Sequence, residues 1–151
     1  MKTIFSLFRR SSKDENSMKR ITPEWITSLK ENEIFVFGSN VAGNHNGAAA
    51  GYAKNHFGAI DGQAEGLQGQ SYAIPTDGVS EKELYQAICR FCDFASSRPE
   101  LTFYVTAVGC GNAGFSPYTV APMFRDAVKL KNVKLPIEFW DFLTMDDSFS
   151  L

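Results

Sequence analysis

The stretch FVFGSNVAGNHNGAAAG, residues 35–51, joins an apolar segment to a long run of Gly, Ala and Asn with one His. Residues 34–37 are typical of a short buried strand. The spacing of apolar residues over 47–57 predicts a helix, with Gly58 as its cap. A strand that passes through a loop into a helix is the basic unit of an α/β fold. The side chains of this loop are too small to build much core, so the loop needs another explanation.

The rest of the chain continues the alternation of strands and helices. Ser80 and Glu83 form a capping box, and the apolar stripe behind them predicts a helix that ends near Ser97. The other predicted elements are a helix over 22–30 opened by Thr22 and Pro23, a loop over 58–70, a strand over 71–75, a central strand over 101–109, a helix from about Thr119 with Pro122 in its first turn, and a last strand over 135–142. This order predicts a three-layer α/β/α sandwich with a mostly parallel mixed sheet.

Length and composition predict a single globular domain. The chain has 151 residues and a formal net charge of -2, with a pI of about 5.7, which disfavours a nucleic-acid binder that works through a bulk basic field. The polar and charged N-terminal stretch predicts a flexible arm over 1–20. The α/β domain is expected over 21–145, and an acidic tail over 146–151.

Three features predict a cytoplasmic protein without a membrane segment. The apolar cluster at the N-terminus ends at Arg9, which is too early for a secretory signal. No window reaches the roughly 18 apolar residues of a membrane span. Three cysteines, an odd number, do not form a disulfide framework, which agrees with a reducing compartment.

Three loops follow predicted strands at the carboxyl edge of the sheet, where open α/β sheets bind ligands. They are GSNVAGNHNGAAAG at 38–51, PTDG at 75–78 and GCGNAGF at 109–115. Glycine lets main-chain N–H groups approach a ligand, and a helix N-terminus beyond the loop adds the positive end of a dipole. The loops contain no lysine, and the chain has neither a Walker nor a Rossmann motif. Together they predict a cleft for an anionic ligand such as a phosphate or diphosphate.

Several side chains in these loops suit a nucleotide site, although each also has a structural interpretation. Asn40 and Asn44 carry amides that bind sugar hydroxyls or cap turns. His45 is a candidate acid, base or hydroxyl ligand, or a surface histidine. Phe115 stacks on a base or anchors the core. The Cys110 thiol either has a lowered pKa within an anion-binding loop or packs against its neighbours.

The segments IFVFGSNVAGNHNGAAAGYA and VTAVGCGNAGF resemble the two ligand loops of macro domains, which are three-layer α/β/α modules that bind ADP-ribose and related NAD-derived nucleotides. The resemblance covers residues 34–142. Three segments resemble in sequence those of a bacterial and phage group of uncharacterised macro-like proteins, namely FVFGSN, GLQGQSYAIPT and VGCGNAGF. The resemblance implies that Asn40 contacts the ribose nearest the diphosphate, that residues 43–49 hold the diphosphate, and that residues 111–115 close over the phosphates and the distal ribose. The candidate ligand-binding residues are Gly38, Ser39, Asn40, Val41, Gly43, Asn44, Gly47, Ala48, Thr76, Gly109, Cys110, Gly111, Asn112, Ala113, Gly114 and Phe115.

The resemblance implies a protein that binds ADP-ribose or a related nucleotide, with an ADP-ribosylated protein as a further partner. In hydrolytic macro domains an Asn of the first loop helps to position the substrate or water, so Asn40 is the first candidate catalytic residue, with His45 beside it. A hydrolase needs a positioned water and a binder needs only the cleft, and the sequence leaves the two open. The alternative is a non-enzymatic interaction module that binds a protein through its acidic tail or basic arm. Neither a cofactor nor a metal is predicted, since the CxxC of Cys89 and Cys92 lies on a predicted helix without further ligands nearby.

Overall fold

The structure is a computed structural model that describes residues 20–149 and the side chains of residues 20–143. The predicted arm therefore lies outside the described residues except for Arg20, and the predicted tail is described only as backbone through Phe149. The elements are β1 (Glu33–Asn40), α1 (Ala48–His56), β2 (Gly66–Gln68), β3 (Ser71–Asp77), α2 (Glu81–Ser97), β4 (Thr102–Val105), α3 (Pro117–Val120), a 3-10 helix (Ala121–Lys129), β5 (Val133–Lys134) and α4 (Ile137–Phe149).

The strands form one five-stranded sheet in the order β2-β3-β1-β4-β5. Three of its strand pairs are parallel, and the β2–β3 pair is antiparallel. From β1 the chain passes through α1 and the edge strand β2 to β3, and from β3 it passes through α2 to β4, on the other side of β1. The predicted three-layer α/β/α sandwich with a mostly parallel mixed sheet is confirmed. Because β1 is central, its carboxyl end lies between those of β3 and β4.

The central strand β1 is buried on both faces, because its side chains alternate between two layers. Ile34 and Val36 belong to a large apolar cluster with residues of α2, the 3-10 helix and α4. Phe35 and Phe37 belong to a smaller cluster with residues of α1. The apolar segment 34–37 thus forms the middle of the sandwich, as its pattern predicts.

Two helix predictions are confirmed closely. α2 begins after Ser80, whose hydroxyl accepts the N–H of Glu83 at 3.1 Å while the Glu83 carboxylate accepts the N–H of Ser80 at 3.1 Å. α1 begins at Ala48 and ends at His56. Beyond its end Gly58 has a φ of 79°, a left-handed conformation that favours glycine.

The helix predicted over 22–30 is wrong. The N–H of Thr22 donates to the carbonyl of Leu135 at 2.9 Å, and its hydroxyl donates to the carbonyl of Val105 at 2.7 Å. Ile21 forms a parallel bridge with Leu135. The side chain expected to cap a helix therefore ties this segment to the end of β4, because long-range hydrogen bonds outweigh the local capping signal.

Two predictions around β3 need correction. The loop predicted over 58–70 contains the short strand β2, which pairs with β3 through Ala73. β3 was predicted to stop at Pro75 but continues to Asp77. Pro75 pairs with β1 and lies beyond the last β3 residue that pairs with β2. No neighbouring strand therefore requires the N–H that proline lacks.

The helix predicted from about Thr119 begins two residues earlier, at Pro117. Ser116 is its N-cap, and its hydroxyl accepts the N–H of Thr119 at 3.2 Å. Pro117 occupies the first turn, where its missing N–H has no partner to lose. The helix then tightens into the 3-10 helix, whose own first turn carries Pro122.

The strand predicted over 135–142 is also wrong. The last strand, β5, precedes this segment, and α4 starts directly after Pro136. Phe139, Trp140 and Leu143 are buried in the larger core cluster, and their spacing follows one face of a helix. A short apolar run fits both a strand and a buried helix, so its periodicity alone does not decide between them.

Candidate functional site

A cleft of about 260 Å³ opens at the carboxyl edge of the sheet, where β1, β3 and β4 end. β1 leads to α1 on one face of the sheet, whereas β3 and β4 lead to helices on the other face, and a crevice forms between such diverging connections. The cleft is lined by residues from all three predicted loops and by three residues that directly follow β4. The lining residues are Gly38, Ser39, Asn40, Asn44, Gly47, Ala48, Ala49, Ala50, Thr76, Asp77, Thr106, Ala107, Val108, Gly109, Gly111, Asn112 and Ala113.

The N-terminus of α1 opens into this cleft without a side-chain cap. Gly47 is the N-cap residue, and the first turn of this helix, as the structure describes it, carries no acidic residue. The alanines 48–50 line the cleft. The first main-chain N–H groups of a helix lack partners within the helix, and the dipole places partial positive charge there. The cleft therefore offers main-chain donors, and no lysine or arginine is among the described residues that line it.

The loops after β1 and β4 face each other and form the two walls of the cleft. A β carbon built on Gly47 would lie 3.7 Å from Nδ2 of Asn112. Deeper in, a β carbon on Gly38 would lie 2.8 Å from Oγ1 of Thr76 and 3.5 Å from the main-chain nitrogen of Gly109. Glycine at position 38 therefore allows the strand ends to approach, and a larger residue would force Thr76 to move.

Asn40 holds the first loop in shape. Its Oδ1 accepts the N–H of Asn44 at 2.9 Å, and its Nδ2 donates to the carbonyl of Asn44 at 3.0 Å. These two bonds cap the turn, as one of the two interpretations of Asn40 predicted, and Asn40 also lines the cleft. The two roles are compatible, because the amide nitrogen carries a second hydrogen and the oxygen a second lone pair.

The hydroxyls at the strand ends donate to main-chain carbonyls of the fold, whereas the carboxylate of Asp77 lies in the cleft. Thr76 donates to the carbonyl of Ser39 at 3.1 Å, and Ser39 donates to the carbonyl of Ala64. Asp77 is the one carboxylate among the described cleft-lining residues. In the sheet register it lies opposite Asn40. A carboxylate and an amide thus stand at the ends of adjacent parallel strands.

His45, predicted as a candidate catalytic residue, does not line the cleft. Its side chain is 1% exposed, and its ring lies edge-on to that of Phe37 with 5.1 Å between centroids. Its Nε2 lies 3.1 Å from Oε1 of Gln68, an oxygen that also accepts the N–H of Ile60 at 2.7 Å. In a loop of Gly, Ala and Asn this imidazole is the large side chain available for burial, so it anchors the loop rather than facing a ligand.

Five residues predicted to bind the ligand also lie outside the cleft lining. Val41 is 60% exposed. Gly43 has a φ of 73°, and a β carbon there would lie 2.7 Å from the carbonyl carbon of Gly62. Phe115 packs against the larger core cluster, which is its core-anchor interpretation. The residues outside the lining are Val41, Gly43, Cys110, Gly114 and Phe115.

Five lining residues were missed by the sequence prediction, namely Ala50, Asp77, Thr106, Ala107 and Val108, whereas Ala49 falls within the range 43–49 that was expected to hold the diphosphate. Residues 106–108 were expected inside the strand over 101–109, but β4 ends at Val105. The N–H and the hydroxyl of Thr106 both donate to the carbonyl of Val36, at 3.1 and 2.8 Å, where the chain leaves the sheet. Asp77 could have been predicted as a site residue from the sequence, because it is the one carboxylate in the three loops.

The Cys110 thiol is not activated as a nucleophile. Burial, and next the carboxylate of Glu138, raise the pKa of Cys110 to about 11. Its Sγ donates to the carbonyl of Val108 at 3.6 Å. The interpretation of Cys110 as a thiol with a lowered pKa is therefore wrong, and the packing interpretation fits.

Alkylation of Cys110 by iodoacetamide is expected to be slow. At pH 8 a thiol with a pKa near 11 is about 0.1% thiolate, against roughly a quarter for an ordinary cysteine, so the rate should be roughly 200-fold below that of glutathione. The rate should rise with pH toward 11, because only the thiolate reacts. Peptide mass spectrometry at several pH values measures this, and a rate at pH 8 equal to that of glutathione would contradict the raised pKa.

The described residues contain neither a cluster of metal ligands nor a helix able to span a membrane. Within residues 20–143, no group of three or more His, Cys, Asp and Glu side chains is placed to hold a metal ion. Cys92 of the CxxC is buried in the core on α2, and burial raises its pKa to about 12, as expected of a packing residue. None of the described helices has the length and apolarity that crossing a bilayer requires.

Comparison with known proteins finds no family model, curated protein or solved structure that matches the chain.

Proposed function

We propose that this protein binds ADP-ribose or a related NAD-derived nucleotide in the cleft, with the diphosphate at the N-terminus of α1. The observation that carries the proposal is the uncapped start of this helix, which opens into a cleft between the ends of three parallel strands. Helix N-termini of this kind bind phosphate through main-chain N–H groups and the dipole. The resemblance of the two flanking loops to those of macro domains supports a nucleotide that contains ADP-ribose.

The polar groups of the cleft suit the sugar next to such a diphosphate. Asn112 stands across the cleft from Gly47 and brings a neutral amide toward the anion. Asp77 and Asn40, on adjacent strand ends, supply acceptors and a donor for ribose hydroxyls. A carboxylate disfavours further phosphates nearby, so this side of the cleft favours a sugar over a triphosphate.

The size of the cleft limits how much of the nucleotide it encloses. Its volume is about 260 Å³, just below the range of about 300–1,000 Å³ that is typical of pockets for whole drug-sized ligands. The cleft therefore holds the diphosphate and one ribose, and the rest of the ligand extends beyond it.

Binding is the stronger form of the proposal, because hydrolysis of an ADP-ribosyl linkage also needs a group that activates water. Asp77 is the one titratable side chain among the described lining residues. His45 is buried and its Nε2 lies beside Gln68, so we propose no catalytic role for it. A hydrolytic step would accordingly depend on Asp77 as the base, with Asn40 as a positioning group.

ADP-ribose at about 100 times its Kd is expected to stabilise the full chain by roughly 2.7 kcal/mol, which raises Tm by roughly 5–10 °C. The measurement is a thermal shift across ADP-ribose, NAD, ADP and cyclic nucleotides. Asn40→Ala should lose the shift, because the first loop loses both bonds to Asn44 together with a ligand contact. Asn55→Ala, on the exposed side of α1, is the matched control and should keep it.

An unchanged shift in Asn40→Ala would remove Asn40 from the site. The absence of a thermal shift with every nucleotide tested would contradict nucleotide binding and favour the alternative, a non-enzymatic interaction module.

A further inference from the structure

A second cavity, of about 710 Å³, lies beside the cleft at the same edge of the sheet. It is bounded by residues 21–24, by the start of α4 and by the residues that follow β4. Residues 22–30 do not form a helix, and the start of this segment is held instead by Val105 at the end of β4 and by Leu135. The proposed nucleotide site does not account for this cavity.

The cavity and the cleft are neighbours along one groove, because Thr106 and Ala107 line both. Thr106 is held by two hydrogen bonds to the carbonyl of Val36. The wall between the two spaces is thus fixed in position and built from small side chains. The two spaces therefore adjoin at Thr106 and Ala107.

The second cavity is more acidic than the cleft, which carries the single carboxylate of Asp77 among its described lining residues. Two carboxylates, of Glu24 and Glu138, line it, and no lysine or arginine is among its described lining residues. Neither carboxylate forms an ion pair with any residue of the described chain. The hydroxyl of Thr22 is already bound to the carbonyl of Val105, so it adds no free donor. The other lining side chains include Ile21 and Ile137, which offer apolar surface for methylene groups.

Glu138 lies close to the third loop of the cleft. Its negative charge helps to raise the pKa of Cys110, the residue that precedes Gly111 in that loop. Donors for an anion and carboxylates for a cation therefore lie along a single groove. A ligand that satisfies both carries a phosphate at one end and a positively charged group on an apolar stem at the other.

We propose that the second cavity binds the arginine side chain of an ADP-ribosylated protein, with the guanidinium near Glu24 and Glu138 and the ADP-ribosyl group in the cleft. This inference rests on the proposed function of the cleft, and it names the preferred ligand as ADP-ribose attached to a cationic acceptor. A guanidinium suits the site because it pairs with carboxylates in a fixed geometry and its methylene stem packs on apolar surface.

Titration calorimetry on the full chain tests the inference with three ligands: ADP-ribose, ADP-ribosylarginine and the neutral adduct ADP-ribosylserine. The arginine adduct should bind about 10-fold more tightly than the other two, and high salt should reduce this advantage. Glu24→Gln combined with Glu138→Gln should remove the advantage and leave the affinity for ADP-ribose unchanged. Glu31→Gln combined with Asp93→Asn removes two exposed carboxylates that line neither space, and it should keep the advantage.

The possible failures are distinguishable. Equal affinities for the three ligands, or an advantage that survives in the Glu24 and Glu138 variant, would overturn the arginine site while nucleotide binding stands. Equal weakening of all three ligands in that variant would show that the cavity holds part of the nucleotide itself, which also overturns it. Absence of binding by all three ligands would overturn the nucleotide site and this inference together.

Discussion

Gly47→Asp is expected to stabilise the free protein and to abolish nucleotide binding. Gly47 is the N-cap of α1 with φ −69° and ψ 168°, an extended conformation that aspartate adopts readily. The new carboxylate would accept the main-chain N–H groups at the start of the helix and lie near its positive dipole end, which stabilises the fold by about 0.5–1 kcal/mol. The same carboxylate would occupy the place of the phosphate and repel it, so affinity should fall on the order of 100-fold or more.

Because stability and ligand affinity are expected to change in opposite directions, a direct effect on the binding site can be distinguished from unfolding of the variant. A variant that merely unfolds loses stability and binding together, whereas Gly47→Asp should gain the first and lose the second in thermal shift and calorimetry. Gly47→Ala is the control, because it adds a β carbon 3.7 Å from Asn112 but no acceptor, and it should retain most of the affinity. A wild-type ligand shift in Gly47→Asp would place the anion away from α1.

Arg20→Ala is expected to lower the free energy of unfolding by about 3 kcal/mol, a large fraction of the stability of an ordinary domain. The guanidinium donates to four carbonyls at the end of the 3-10 helix and in β5, those of Ala127, Val128, Leu130 and Val133, at 2.6–3.2 Å. It also lies 5.3 Å from the centre of the Trp140 ring. Burial lowers the pKa of Arg20, as expected for a cation removed from water. Truncation would remove the guanidinium donor from all four carbonyls, of which only those of Ala127 and Leu130 are also seen to accept a main-chain N–H outside regular helix and strand pairing.

Urea denaturation measures the effect, and Arg98→Ala provides the comparison. Arg98 forms an exposed ion pair with Glu100 at 3.1 Å, and exposed pairs contribute about 0–1 kcal/mol. The loss in Arg20→Ala should therefore exceed that in Arg98→Ala severalfold. Equal losses would mean that Arg20 belongs to the flexible arm predicted over 1–20 rather than to the domain.

The parts of the site that were predictable are those whose signals are local. The pattern of 34–37 indicates a strand buried on both faces, and the capping box of Ser80 and Glu83 marks the start of α2. The glycine loops follow their strands directly, and the carboxyl ends of parallel strands meet at one edge. Eleven of the sixteen candidate ligand residues line one cleft, because the α/β topology alone brings such loops together.

The parts that were not predictable depend on partners far away in the chain. Thr22 has the local signature of a helix N-cap, but the carbonyls of Val105 and Leu135 bind it instead. Residues 135–142 fit a strand or a helix equally well until the core selects one face for burial. His45 has the chemistry of a catalytic residue, yet Phe37 and Gln68 bury its ring.

The sequence by itself determined the α/β class, the central strand and the glycine loops, because strand periodicity, capping and glycine conformation are properties of neighbouring residues. Only the tertiary structure decided which side chains face the cleft, that Asn40 shapes the loop while His45 anchors it, and that a cavity lined by Glu24 and Glu138 continues the groove. These outcomes depend on which long-range hydrogen bonds and buried faces prevail, and that competition is settled when the layers pack together.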